Sequence, residues 1–167
     1  MLSNPKVAWE EVLAPHVGQS LARCQAAAAQ GQRLVVAHDT TNVRFVGSEA
    51  GVREGLGTLN RGEPGFEAHL ALACALPSAQ HVLAHPLGVV GLRSHVRPSR
   101  PQRTAAQQKK ESQARPLAER ESQMWQQLAH TVQQRCTQAG VAHVVHVMDQ
   151  EADSFRLFHE LTRHGCA

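Results

Sequence analysis

Two apolar runs that each lead into a carboxylate constrain the fold of this chain more than any other feature. The first run covers residues 34–37, and Asp39 follows it after a single histidine. The second, apolar-rich run covers residues 141–148 and ends directly at Asp149. Runs of this length and composition are typical of strands that are buried on both faces of a sheet. Because an ionised carboxylate is unfavourable beside apolar surroundings, two such strand ends indicate a bound metal ion as the compensating partner.

The composition is that of an ordinary folded domain. At 167 residues, of which 42% are hydrophobic, the chain is long enough to bury a core. It has no Tyr and 4% aromatic residues, so it lacks a series of rings on which single-stranded bases could stack. No apolar run approaches the roughly 20 residues that cross a bilayer, and the first residues lack signal-peptide features, which predicts a cytoplasmic protein with no membrane partner. Four scattered cysteines are predicted to be free thiols, namely Cys24, Cys74, Cys136 and Cys166.

The hydrophobic periodicity predicts an α/β protein in which a three-stranded meander is followed by a helix, a further strand and a last helix. The predicted elements are a helix over 4–30 with a kink or break at Pro15, a strand ending at residue 38, strands over 66–76 and 81–96, a helix over 116–139, a strand over 141–148 and a helix over 152–164. In the strand over 66–76 the large apolar side chains share one face. The glycine-rich stretch 47–65 is predicted to be a turn-rich loop, because no phosphate-loop Lys and no helix follow it.

The connection that leads to the last strand predicts where the two acids lie. A strand reached through a helical crossover is expected to run parallel to its neighbour, with a right-handed connection. If it lies beside the strand that precedes Asp39, then Asp39 and Asp149 emerge at one edge of a mixed sheet, about 5 Å apart. Ligands of such sheets bind at the carboxyl ends of strands, and carboxylate oxygens suit Mg²⁺ or Mn²⁺. Two such ions would assist the cleavage of a phosphodiester.

Each acid also has a purely structural alternative. Asp39 could form an Asx turn with Thr41, and Asp149 or Asp153 could cap the last helix. For Asp153, which lies in the first predicted turn of that helix, a favourable interaction with the helix dipole is the preferred interpretation.

Positive charge is concentrated in one segment. Residues 93–120 contain eight Lys or Arg against two Glu, a net charge of +6, so the rest of the chain carries −3 of the formal total of +3. A basic segment on an otherwise slightly acidic domain indicates a polyanionic partner, with a solvated loop as the alternative. The candidate nucleic-acid-binding residues are Arg93, Arg97, Arg100, Arg103, Lys109, Lys110 and Arg115, in a basic loop over 93–116.

A set of short motifs resembles the bacterial DDE transposases of the cut-and-paste insertion-sequence type. The motifs occur in one order along the chain: Asp39-Thr40-Thr41, Gly55-Leu56-Gly57, Gly65-Phe66-Glu67-Ala68-His69, Pro86-Leu87-Gly88, Glu121-Ser122-Gln123-Met124-Trp125 and Asp149-Gln150-Glu151-Ala152-Asp153. The resemblance implies a ribonuclease-H-like catalytic core over 33–167, preceded by a helical segment over 1–32. It implies that Asp39 and Asp149 are catalytic metal ligands for Mg²⁺ or Mn²⁺, with Thr40, Thr41 and Asp153 in support.

The resemblance also implies partners and an incomplete site. The expected partners are double-stranded DNA at transposon ends and a second protein copy or a full-length homologue, in a bacterial protein associated with the nucleoid. The family's third acid, a Glu in a Tyr-x-x-Arg-x-x-x-Glu-x-x-Lys helix, is missing from the sequence, and a further core strand is expected after residue 167. The chain is therefore expected to be truncated at both ends and inactive alone.

Two other functions fit parts of the sequence. A non-catalytic remnant or regulator would use the basic segment to bind DNA or a partner without chemistry. Another metal-dependent phosphodiesterase is suggested by the pair His38-Asp39, although in the His-Asp phosphohydrolases this pair lies on helices. His143 and His146 are predicted to point to opposite faces of a strand, so they cannot chelate one ion and are interpreted as partnered residues at the edge of the core.

Overall fold

The structure, a computed structural model, describes residues 9–45, 56–59, 63–79, 82–96, 122–141, 143–149, 159 and 162. Within these ranges the elements are α1 Trp9–Ala29, β1 Leu34–Arg44, β2 Gly57–Thr58, β3 Pro64–Ala75, β4 His85–His95, α2 Ser122–Gln138 and β5 Val144–Val147. In the predicted last helix, His159 and Thr162 are helical, and the Thr162 hydroxyl donates to the His159 carbonyl at 2.9 Å. The rest of that helix lies outside the described residues.

The strands form one mixed sheet in the order β4–β3–β1–β5. The two-residue strand β2 pairs with the first residues of β3 and so prolongs the edge that β4 occupies. β1 and β4 both run antiparallel to β3, whereas β5 runs parallel to β1. The predicted α/β class, the antiparallel meander and the parallel strand after the α2 crossover are therefore confirmed.

Strand β1 is longer than predicted, and this moves Asp39. The β1–β3 ladder continues from Leu34 to Arg44, and Asp39 pairs with Leu70 in the middle of it. The prediction that Asp39 occupies the tip of its strand is therefore wrong, as is the Asx turn at this position. The physical reason is that Thr40, Thr41 and Val43 are β-branched and have a full-length partner in β3, so the ladder persists beyond the apolar run.

Both helices pack on the same face of the sheet. The core consists of small and medium side chains from this face, among them Val36 of β1, Ala73 of β3 and Val144 of β5, beneath Cys24 of α1 and Val132 of α2. The large apolar side chains of β3 lie on the other face, where Leu72 is 36% exposed. The packed face of β3 is thus the one that carries alanines, because small side chains allow the helices to approach the sheet closely.

Helix α1 runs through Pro15 without interruption, so a break of the helix at this residue is wrong. Pro15 is exposed, so the backbone hydrogen bond that proline cannot donate is missing at a position open to solvent, while Val17 and Cys24 are buried in the core. No helix in the described part of the chain is long and apolar enough to span a membrane. Cys24, Cys74 and Cys136 form no disulfide bond among the described residues, as predicted, and Cys166 lies outside those residues.

The two helices end in the same way. Gly31 and Gly140 each follow a helix with φ of 74°, a left-handed conformation that suits glycine. The Gln32 N–H donates to the Ala27 carbonyl at 3.1 Å, and the Val141 N–H donates to the Cys136 carbonyl at 2.9 Å. These are Schellman-type caps, and they turn each helix into the parallel strand that follows it.

Candidate functional site

The strand pairing relates the two predicted catalytic acids. The parallel register pairs Leu34 with Val144 and Ala37 with Val147. β5 ends at Val147, two residues before Asp149, and a continuation of the same register would pair Asp39 with Asp149. Both side chains are exposed, and both carboxylates act on the pKa of the same imidazole, that of His69. Although β1 does not end at Asp39, the two acids therefore lie in the same part of the sheet.

Asp39 is connected to the buried side of the sheet through Thr40. The Thr40 backbone N–H donates to Oδ1 of Asp39 at 2.9 Å. The Thr40 hydroxyl is hydrogen-bonded to Nδ1 of His69 at 2.8 Å. His69 is fully buried, and the Trp125 ring of α2 packs edge-on against it with ring centroids 3.9 Å apart. One residue of β1 thus joins an exposed carboxylate to a histidine beneath the helix.

Three histidines form a cluster under α2. Nε2 of His38 and Nδ1 of His146 share a hydrogen bond at 2.9 Å, and the other ring nitrogen of His146 contacts Oε1 of Gln133 at 3.2 Å. The His38 ring also stacks on His69, with centroids 5.7 Å apart. Nδ1 of His38 and Nε2 of His69 are buried. Within the part of the chain that the structure describes, neither of these two ring nitrogens has a hydrogen-bond partner.

Burial keeps these histidines neutral. Desolvation lowers the pKa of His38 to about 3, and repulsion from His146 and His69 acts in the same direction. Burial lowers the pKa of His146 to about 4, with a further contribution from His130. The pKa of His69 is lowered to about 4 by burial, against the opposing effect of the carboxylates of Asp39 and Asp149. Both acids therefore lie close enough to influence the same buried imidazole.

The other predicted site residues divide into described and undescribed positions. Thr41 is exposed on β1 opposite Ala68. Arg93 is exposed on β4 and pairs with His69, so Thr40, His69 and Arg93 form one row across three strands. The remaining basic candidates (Arg97, Arg100, Arg103, Lys109, Lys110 and Arg115) and the supporting Asp153 lie outside the described residues.

The chemistry of the two acids fits a hard divalent cation. Mg²⁺ retains several waters and binds proteins through one or two carboxylates together with substrate phosphates. Asp39 and Asp149 supply two such carboxylates in the same part of the sheet. Among the described residues, however, no group of three or more His, Cys, Asp or Glu is placed to hold a metal ion. If such an ion bound here, the two carboxylates would therefore supply only part of its coordination.

The sequence does not predict the histidine cluster. Of its three members, it predicts only His146 to be a partnered residue at the edge of the core. That interpretation is confirmed, since His146 contacts both His38 and Gln133. His143, by contrast, is exposed. The alternation of residues along the strands does indicate that two of these histidines are buried. His38 lies on the same face of β1 as the apolar Leu34 and Val36, and His69 lies on the same face of β3 as its alanines.

No model of a known protein family matches the chain, and no curated protein matches it significantly.

Proposed function

We propose that this chain carries two of the three metal-binding acids of a ribonuclease-H-like transposase core, which acts in metal-dependent cleavage and transfer of DNA strands at transposon ends. The observation that carries the proposal is the parallel register of β1 and β5, whose continuation beyond Ala37 and Val147 would pair Asp39 with Asp149. The sheet order β4–β3–β1–β5 supports it, because such a core has an antiparallel meander followed by a strand parallel to its first member.

In this proposal each part of the site has a separate task. A divalent ion bound at the site would lower the pKa of an attacking water and stabilise charge on a phosphodiester. The carboxylates of Asp39 and Asp149 would hold that ion, and the Thr40 N–H would fix one oxygen of Asp39. Arg93, exposed on β4 at the opposite edge of the sheet from β5, would contact a phosphate of the DNA backbone. The proposed partners are duplex DNA and a second copy or a longer homologue of this chain.

Removing either acid is expected to weaken the binding of a divalent ion. Asp39→Asn and Asp149→Asn each delete one of two anionic ligands and so should weaken Mn²⁺ binding at least about tenfold, since each tenfold step needs about 1.4 kcal/mol. Mn²⁺ binding can be measured by isothermal titration calorimetry and by electron paramagnetic resonance of the free ion.

Glu11→Gln is the matched control, because it removes one exposed carboxylate from α1, far from β5 in the fold. It should leave the Mn²⁺ affinity unchanged. If both aspartate variants retain the affinity of the unaltered protein, the acids do not hold a metal and the proposed chemistry is wrong.

Binding to duplex DNA is expected to depend steeply on salt. Each phosphate contact should contribute a slope of about −0.9 to a plot of log affinity against log salt concentration. Arg93→Gln should therefore make the slope less negative by about one contact, as measured by fluorescence anisotropy of a labelled duplex. Arg44→Gln is the control, because its guanidinium already pairs with Glu63 at 3.2 Å. A slope near zero for the unaltered protein would contradict the DNA hypothesis.

A second function is favoured by the partial ligand set. The described residues offer two acids and no third ligand, so binding of DNA or of a protein partner without catalysis is the alternative proposal. The two proposals differ in one measurement. Mn²⁺ binding that is lost in Asp39→Asn supports the metal-dependent function, and salt-dependent binding of DNA without any binding of Mn²⁺ supports the alternative.

A further inference from the structure

An open groove of about 590 Å³ lies at the end of the sheet where β1 and β5 begin. It is bordered by the ends of α1 and α2, at the opposite end of β5 from Asp149. Its size is within the range of small-molecule sites, about 300–1,000 Å³. The residues that matter for its chemistry are Gln25, Gln32, Arg33, Leu34, His143 and Val145.

Gln32 lines this groove with an unsatisfied donor. Gln32 is 7% exposed, and its buried amide Nε2 has no hydrogen-bond partner among the described residues. Most buried polar groups are paired, because an unpaired donor loses its water without replacement. A buried amide group in the wall of a cavity therefore indicates a ligand that presents a hydrogen-bond acceptor.

Two basic side chains stand together at the same groove. Arg33 immediately precedes β1 and His143 immediately precedes β5, and the next residues, Leu34 and Val144, pair with each other. Arg33 and His143 therefore lie side by side, and both are exposed. A guanidinium favours carboxylate or phosphate oxygens, with which it makes charge-assisted hydrogen bonds.

The rest of the groove suits an uncharged part of the same ligand. Val145 is 43% exposed, and alanines from the end of α1 line the wall nearby. The carbonyls of Ala27 and Cys136 at the helix ends accept backbone hydrogen bonds, which reduces their repulsion of an anion. The groove thus combines donors, positive charge and an apolar wall.

We propose that this groove binds a small organic anion whose carboxylate or phosphate group is held by Arg33 and His143. Nε2 of Gln32 donates a hydrogen bond to an oxygen of that group, and the hydrocarbon part packs against Val145. The site is independent of Asp39 and Asp149, so it stands whether or not the chain binds a divalent ion.

The test is a titration of the full ¹⁵N-labelled chain, followed by nuclear magnetic resonance, with sodium butyrate, with inorganic phosphate and with sodium chloride as the control. Butyrate, phosphate or both should shift the Gln32 side-chain amide saturably, whereas chloride should not. Tighter binding of butyrate would assign a carboxylate ligand, and tighter binding of phosphate would assign a phosphate ligand.

Arg33→Gln should weaken this binding about tenfold, the loss expected from one charge-assisted hydrogen bond. Arg44→Gln removes the same charge from the other end of β1, where Arg44 pairs with Glu63, and should leave the affinity unchanged. The proposal is overturned if neither anion shifts the Gln32 amide, or if both variants weaken binding equally. It is also overturned, in favour of a DNA contact, if a short duplex alone shifts that amide and Arg33→Gln abolishes the shift.

Discussion

Lowering the pH from 7.5 to 5 is expected to reduce the free energy of unfolding by about 6 kcal/mol. His38, His69 and His146 have pKa values of about 3, 4 and 4 in the folded chain, against an ordinary value of 6.5. Below pH 6.5 the unfolded chain therefore binds protons that the folded chain excludes, so stability is present above this pH and is lost as the pH falls. At pH 5 each histidine should cost about 2 kcal/mol, and the three together about 6 kcal/mol.

A loss of this size is comparable with the whole stability of a typical domain, about 5–15 kcal/mol. Urea denaturation at a series of pH values, followed by the fluorescence of the buried Trp125, measures it directly. His146→Gln retains a side chain that can bond to His38 but cannot titrate, so it should reduce the pH dependence by about one third. His143→Gln changes an exposed histidine three residues away and should have no effect. A stability that is constant between pH 7.5 and pH 5 would contradict the neutral cluster.

The order of the strands could be predicted from the sequence because it depends on connections. A hairpin joins β3 to β4, and a helix joins β4 to β5, and few arrangements satisfy both links. The end of β1 could not be predicted in the same way. The apolar run stops at Ala37, but the ladder is maintained to Arg44 by pairing with a strand that lies far along the chain. Local composition contains no information about the length of a distant partner.

The hydrophobic pattern of the sequence alone could not show which face of β3 is buried. Leu72 belongs to the more hydrophobic side of the strand, yet Ala71 and Ala73 are the residues beneath the helices. Which side is covered depends on how closely α1 and α2 can approach, and that closeness is a property of the packed structure. For the same reason the sequence predicts that Asp39 lies near Asp149 but does not predict the His38–His69–His146 cluster. The three histidines come from three strands and come into contact only when the sheet forms.

Replacing Gly88 with alanine is expected to destabilise the protein by about 3 kcal/mol or more, through two separate effects. Gly88 has φ of 129° in β4, a conformation that residues with a Cβ rarely adopt, and this costs about 1–3 kcal/mol. The added Cβ would also overlap Oγ of Ser20 and lie 2.8 Å from Nη2 of Arg23. Ser20 is fully buried, and Nε of Arg23 donates to the Leu87 carbonyl, so this contact joins α1 to the sheet. Overpacking of such a site costs about 1–3 kcal/mol.

Gly18→Ala makes the same chemical change in α1, where nothing lies within 4 Å of the added Cβ. It should stabilise the protein by about 0.5–1 kcal/mol, because alanine loses less backbone entropy than glycine when a helix forms. Urea denaturation of both variants at pH 7.5 separates the two outcomes, since the midpoints should move in opposite directions at an unchanged m-value. If Gly88→Ala unfolds at the same urea concentration as the unaltered protein, then α1 does not pack against β4 through Ser20 and Arg23. The packing of the core that holds β1 beside β5, and hence Asp39 near Asp149, would then have to depend on other contacts.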